Sequence, residues 1–232
     1  MSGNGPVELS VVIPTVDALA ARVARCLESV RAHTGTSHEI VLMENGSPPQ
    51  GFTLPVNAGI RAAQGEYVVV MNDDVEVRAD WWPPLRAALD GGASIAMPGA
   101  AAYNRDHFAA FCFGFRADAL PRLESRPGHL FDPDLKVWFS DLDLLLRLLD
   151  AGDPPVVVRE SAIVHYGGET VLADRLAEGW IDEQIKRDRA LFWERWPGGR
   201  KGERAAALLS ALPKPKLPRR PRSETAGKPP PE

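Results

Sequence analysis

Short apolar runs alternate with helix-period stretches along most of the chain. Val7 to Pro14 is a buried-strand pattern stopped by proline. Leu19, Val23, Cys26, Leu27 and Val30 then recur at i, i+4, i+7, i+8 and i+11, one apolar face of a helix. Glu39–Met43 predicts a second strand, ended by Asn45-Gly46-Ser47-Pro48. A short helix is expected from Asn57 to Ala63, closed by Gly65. Tyr67–Met71 is a third strand, apolar throughout, and it runs into Asn72-Asp73-Asp74. Beyond it the pattern gives a helix over Ala79–Leu89 and strands at Ser94–Met97 and Phe111–Phe115. A helix over Asp141–Ala151 carries Leu142, Leu145, Leu146 and Leu149 on one face. Two short strands, Pro155–Val158 and Ala162–Val164, precede one or two helices within Asp174–Trp193. Continuous apolar strands alternating with helices predict an α/β fold, a mainly parallel sheet covered on both faces.

Such sheets bind ligands beyond the carboxyl ends of their strands. The clusters that fall there are Pro14-Thr15-Val16-Asp17, Glu44-Asn45-Gly46-Ser47 and Asn72-Asp73-Asp74. The first two suit a nucleoside held by backbone and short side chains. The third offers adjacent carboxylates, the ligand type that Mg²⁺ or Mn²⁺ takes together with substrate phosphates. An Asx-rich turn after a strand explains the same three residues equally well. No phosphate-binding Gly-rich loop of the P-loop or dinucleotide type follows the first strand.

Composition narrows the class. The 232 residues are 44% hydrophobic and 25% charged, as in soluble globular proteins. No apolar run approaches the roughly 18–20 residues that span a bilayer. Met1–Pro6 lacks the basic and apolar regions of a signal peptide, and Cys26 and Cys112 are too few for a disulfide framework, so a cytoplasmic protein is expected. The net charge of −4 hides an asymmetry. Nine basic and three acidic residues from Pro197 onward leave that segment at +6 and the body before it at −10. With seven prolines between Pro213 and Glu232, residues 197–232 read as a basic, disordered tail behind a folded domain at 1–196. A solubilising role is favoured for it over weak contact with an anionic surface, such as a membrane periphery.

The ordered set of motifs resembles glycosyltransferase family 2 of the GT-A fold, most of all its rhamnosyltransferase-like small members. It comprises Val-Val-Ile-Pro-Thr, Glu-Asn-Gly-Ser, Gly-Phe-x-x-x-x-Asn-Ala-Gly-Ile and Gly-Glu-Tyr-Val-Val-Val-Met-Asn-Asp-Asp-Val. Phe131-Asp132, Ser140-Asp141-Leu142-Asp143-Leu144 and His165-Tyr166-Gly167-Gly168 follow, so the resemblance covers Val7 to Thr170. It implies a GT-A sheet trimmed at one edge, with a C-terminal helical segment. It further implies nucleotide contacts from Pro14, Thr15, Val16, Glu44, Asn45, Gly46, Asn57, Asn72 and Asp73. Asp74 and His165 become the metal-binding residues, with Mn²⁺ or Mg²⁺ as cofactor, and Asp141 the general base.

The implied reaction is an inverting sugar transfer from a UDP- or dTDP-sugar to an acceptor hydroxyl. A positioned carboxylate removes the hydroxyl proton, and a metal stabilises the departing diphosphate. The helix N-terminus is expected to keep Asp141 ionised. Ser140-x-x-Asp143 resembles a capping box, which assigns Asp143 to structure. Trp138, three residues before Asp141, is the aromatic residue best placed to stack on a sugar.

Ser140 and Glu44 depart from the family pattern, and the stretches after Ser47 and Met97 are short. These trims keep a non-catalytic GT-A-like binding module open as an alternative. A nucleotidyltransferase is the other alternative, disfavoured by the first loop. The acceptor is left as a glycan, a lipid-linked or natural-product molecule, or a modified nucleic acid. Association with a second copy of the chain is also left open.

Overall fold

In the computed structural model, residues 6–46, 50–99, 110–167, 180–198 and 200–211 are described. Leu9–Thr15 (β1) runs parallel to His38–Glu44 (β2) on one side and Tyr67–Met71 (β3) on the other. Cys112–Arg116 (β6) returns antiparallel to β3, and Ala96–Pro98 (β5) pairs with it. Val156–Val158 (β7) lies parallel to β5. The six-stranded order is β2-β1-β3-β6-β5-β7. The mainly parallel, helix-flanked sheet of the sequence reading is therefore present, with β6 as the reversed strand.

Strand alternation divides the apolar residues between two layers. Val12, Val68, Val70 and Phe113 face Thr53–Ala62 (α2) and Ser140–Asp150 (α5) through Val56, Ile60, Leu142 and Leu145. Val11, Ile13, Val69 and Met71 face Ala21–His33 (α1) and Trp82–Asp90 (α3) through Cys26, Val30, Trp82 and Leu85. The helices Leu120–Leu123 (α4), Trp180–Arg195 (α6) and Arg200–Ala211 (α7) complete the described elements. Phe192 and Trp196, within and just after α6, and Ala205 of α7 join the α2–α5 layer.

Several boundaries differ from expectation. Helix α1 begins at Ala21, and Leu19 is 95% exposed instead of facing the core. An Asx turn explains this: Asp17 Oδ1 accepts the Leu19 N–H at 3.0 Å and holds residues 17–20 out of the helix. Helix α2 starts four residues earlier than expected, because Pro55 falls in its first turn, where a missing N–H costs nothing. A second, two-stranded sheet was not foreseen: Val75–Val77 (β4) pairs antiparallel with Ile163–His165 (β8).

The expected domain boundary falls at residue 196. Helix α7 lies beyond it with Ala205 fully buried, and a Cβ added at Gly202 would stand 2.7 Å from the Pro197 carbonyl oxygen. The stretch from Arg200 to Ala211 is alanine-rich and proline-free, a good helix former; the prolines cluster only from Pro213. Residues 212–232, which hold most of the expected tail, lie outside the described residues. Among the described residues no helix is long and apolar enough to cross a membrane.

Candidate active site at the carboxyl ends of the strands

The turn after β3 is bound to the turn after β1. Asp73 is 3% exposed, and its Oδ2 accepts from the Thr15 hydroxyl at 2.7 Å and from Arg22 Nε at 3.1 Å. The Asn72 N–H donates to the Phe111 carbonyl at 2.7 Å, fastening the same turn to the start of β6. Asn45 closes the third turn: its N–H donates to the Thr15 carbonyl at 2.8 Å, and its side chain spans the Gln50 N–H and the Gly51 carbonyl at 2.7 and 2.6 Å. Gly46 beside it has a φ of 73°, a conformation that glycine adopts without strain. Thr15, Asn45, Asn72 and Asp73 thus form one connected rim. Pro14 is half-buried at the end of β1, and Val16 and Glu44 are exposed.

Asp74 and His165, 91 positions apart in sequence, meet because β4 pairs with β8, with Val75 opposite His165. The Tyr166 N–H donates to the Asp74 carbonyl at 3.1 Å and locks this register. His165 Nε2 lies 3.1 Å from Asp74 Oδ1, with side chains 8% and 5% exposed. Neither atom has a hydrogen-bond partner, although both are buried. Buried polar groups are normally satisfied, and these two meet as an ion-pair contact without a hydrogen bond, an arrangement that a shared ligand would complete. Two ligand atoms at right angles on a cation, each about 2.1 Å from it, stand about 3 Å apart. The pair fits a hard divalent cation that completes its shell with water and phosphate oxygens. Among the described residues no group of three or more His, Cys, Asp or Glu side chains is clustered for metal binding. One carboxylate plus one imidazole accords with a site shared with substrate. Phe111 stacks on the His165 ring at 4.2 Å and 9°, which fixes the imidazole plane.

Asp141 stands in the first turn of α5. Burial pushes its carboxyl above the ordinary aspartate range, against the Leu142 N–H that donates to Oδ1 at 2.8 Å. Desolvation outweighs the helix N-terminus here, which reverses the expected direction while leaving a more basic carboxylate. The capping-box reading of Ser140-x-x-Asp143 is corrected. The N-cap is Phe139, in the left-handed region at φ 66°, and makes no side-chain cap. Asp143 is fully buried and accepts from Arg147 Nε at 3.0 Å, Trp196 Nε1 at 3.0 Å and Arg195 Nη1 at 3.3 Å. It remains structural, by holding α6 against α5.

Asn57, expected at the nucleotide, is engaged within the fold. Its amide is 1% exposed and brackets the Phe131 main chain, donating to the carbonyl at 2.8 Å and accepting from the N–H at 3.1 Å. That pairing fills the amide and joins α2 to the segment before α5. The two cysteines are excluded as nucleophiles: burial, then the Asp73 and Asp74 charges, pushes the Cys26 thiol up to about 12, and burial pushes Cys112 up as well.

Residues not singled out in the sequence also shape the site. Arg22 is the counter-charge of Asp73, and its Nη2 is buried without a partner. Asp188 and Gln184 lie on the buried stripe of α6 with Ile181 and Phe192. Acid and amide on an otherwise apolar helical stripe were a legible signal for a buried polar contact.

Residues 49–111 match the family model described as Glycosyl transferase family 2. This stretch includes Asn57 and the 72–74 turn and leaves out Thr15, Asp141 and His165. No curated protein is a significant sequence match. Among solved structures, S. aureus TarS (residues 1–349) is similar at 14% identity with a TM-score of 0.53, over 68% of this chain and 59% of that one. A second S. aureus TarS structure aligns over 84% of this chain and 45% of its own, at 13% identity and a TM-score of 0.54. GalNAc-T7, crystallised with UDP, GalNAc and Mn²⁺, aligns over 89% and 55%, at 14% identity and a TM-score of 0.57. The chain spans about half the length of these structures, and at such identities the likeness shows the fold. The match over residues 49–111 and the shared fold accord with the trimmed GT-A scaffold that the motifs imply.

Proposed function

We propose that this chain transfers a sugar from a nucleoside-diphosphate donor to an acceptor hydroxyl, with inversion at the anomeric carbon. The carrying observation is the pair of facing, unsatisfied ligand atoms on Asp74 and His165 at the carboxyl ends of the strands. The UDP and Mn²⁺ bound to GalNAc-T7, which shares the fold, support a donor and a cofactor of this kind. Thr15, Asn45 and Asp73 form the rim against which a nucleoside would lie. Asp74 and His165 would hold Mn²⁺ or Mg²⁺, which supplies charge stabilisation for the departing diphosphate.

Asp141 takes the acceptor proton as the hydroxyl oxygen attacks C1. The C1–oxygen bond to the diphosphate breaks on the opposite face, and the proton stays on the Asp141 carboxyl. The raised pKa makes this carboxylate a stronger base than a solvated aspartate. One displacement leaves no covalent enzyme intermediate, so a single base suffices.

The test is a panel of UDP- and dTDP-sugars, each with Mn²⁺, Mg²⁺ or EDTA, scored for nucleotide release and for thermal stabilisation. A donor that stabilises the protein only with metal and is slowly hydrolysed supports the reading. Failure of every donor to bind removes it.

A further inference from the structure

We infer that Asp188, on α6, is a positioning residue for the Asp141 carboxylate; this rests on the transferase reading above. Asp188 is fully buried, and its bonds run to the segment before α5 and to Gln184. Its carboxylate gathers the main chain just before α5. Oδ1 accepts from the Lys136 N–H at 3.2 Å, and Oδ2 accepts from the Val137 and Trp138 N–H groups at 2.7 and 2.9 Å. The Gln184 amide donates to Oδ1 at 2.7 Å and fixes the rotamer from its own helix.

Three successive N–H groups ahead of a helix have no partner within that helix. Only a group that accepts at both oxygens satisfies them while also taking the Gln184 bond. An asparagine in this place would turn a donor toward N–H groups. The clasp extends on both sides. The Lys136 carbonyl accepts from the Phe52 and Thr53 N–H groups at 2.5 and 3.2 Å, which ties the same residue to α2. Phe139 stacks on Phe192 of α6 at 5.1 Å, one helical turn after Asp188. From residue 136 to 139 the backbone is therefore fixed, and Asp141 follows two residues later. The left-handed Phe139 is a conformation a non-glycine residue keeps only when its surroundings impose it. Asp188 is the buried charge among those surroundings.

Displacement of a base by about 1 Å can cost about 10²-fold in rate. Asp188→Asn should therefore lower kcat for hydrolysis of the best nucleotide sugar, with Mn²⁺ and the full chain, by about 10- to 100-fold. Donor KM and Kd should stay within about twofold, because Asp188 bonds directly to neither the rim nor the Asp74–His165 pair. In an Asp141→Asn background the same change should cost less than about threefold, since the group it positions is already gone. Gln184→Leu leaves the three main-chain bonds in place and should lower kcat by less, with donor affinity unchanged.

Wild-type kcat in Asp188→Asn, an undiminished loss in the Asp141→Asn background, or a parallel loss of donor affinity overturns the inference. Should Asp188→Asn not accumulate folded, Gln184→Leu decides together with amide exchange. Faster exchange at Val137 and Trp138 with unchanged kcat overturns it. If wild type hydrolyses no nucleotide sugar, or Asp141→Asn turns over normally, the transferase reading or its base fails first and this inference falls with it. A slow Asp141→Asn beside a normal Asp188→Asn condemns the inference alone.

Discussion

His165 Nε2 and Asp74 Oδ1 face each other at 3.1 Å, brought together by the β4–β8 pairing, and neither atom makes a hydrogen bond. Satisfying them with a cation stabilises the folded state by mass action. Added Mn²⁺ with UDP or dTDP should raise the melting temperature of wild type. Asp74→Ala and His165→Ala should abolish that rise and weaken metal-dependent nucleotide binding, measured by calorimetry. Metal-dependent affinity that survives in both variants would remove the assignment.

Asp141 titrates above the ordinary aspartate range because burial penalises its charge. Activity should fall as pH drops through this raised pKa, so the acidic limb of the rate profile lies higher than for a solvated aspartate. Asp141→Asn should cost about 10²–10⁴-fold in turnover and leave donor affinity unchanged. The stability sign is opposite. A folded-state pKa above the unfolded one keeps the proton on the native chain, so stability declines as pH rises from the unfolded value through the folded one. At neutral pH the variant should be at least as stable as wild type, and the difference should vanish below the unfolded aspartate pKa. Thermal melts of both proteins across that range provide the check; a variant less stable at pH 7 contradicts the account.

Asp143 gives the contrasting case. Its carboxylate gathers Arg147, Arg195 and the Trp196 indole, and removing one member of a buried charge network costs about 3–5 kcal/mol. Asp143→Ala should lower the melting temperature by roughly 10 °C. Turnover of the folded fraction, measured well below that temperature, should stay near wild type. Loss of turnover with an unchanged melting temperature would mean that the roles of the two aspartates are exchanged.

Truncation separates the two parts of the basic C-terminal segment. Removing residues 213–232 should leave the melting temperature unchanged, because that stretch is proline-rich and offers little apolar surface. Removing everything after Trp196 should lower it, because Ala205 is buried against the α2–α5 layer. Equal melting temperatures for the two truncations would contradict the packing of α7.

The sequence by itself determined the layered sheet, since Val11, Val12 and Ile13 in β1 and Tyr67–Met71 in β3 are apolar on both faces and admit no solvent-exposed side. It also determined which turns carry small polar and acidic residues, because these punctuate strand ends locally. The family pattern extended that reading to Asp74, Asp141 and His165 as a set. The tertiary structure alone decided what each polar residue touches. Asn57 has the look of a ligand residue in sequence and closes on Phe131, 74 positions away. Asp73 reads as a metal or nucleotide residue and is held by Thr15 and Arg22. Asp188 and Gln184 on the apolar stripe of α6 signal a buried polar contact, but the partners of Asp188 lie about 50 positions upstream. β4 is not legible in the sequence because three residues, Val75–Val77, are too few to show a period, and only the pairing with β8 makes them a strand. Periodicity reports only whether a position faces water, a property set by near neighbours along the chain. A carboxylate's role depends on which donors the fold delivers to it, and those come from segments whose proximity no local pattern encodes.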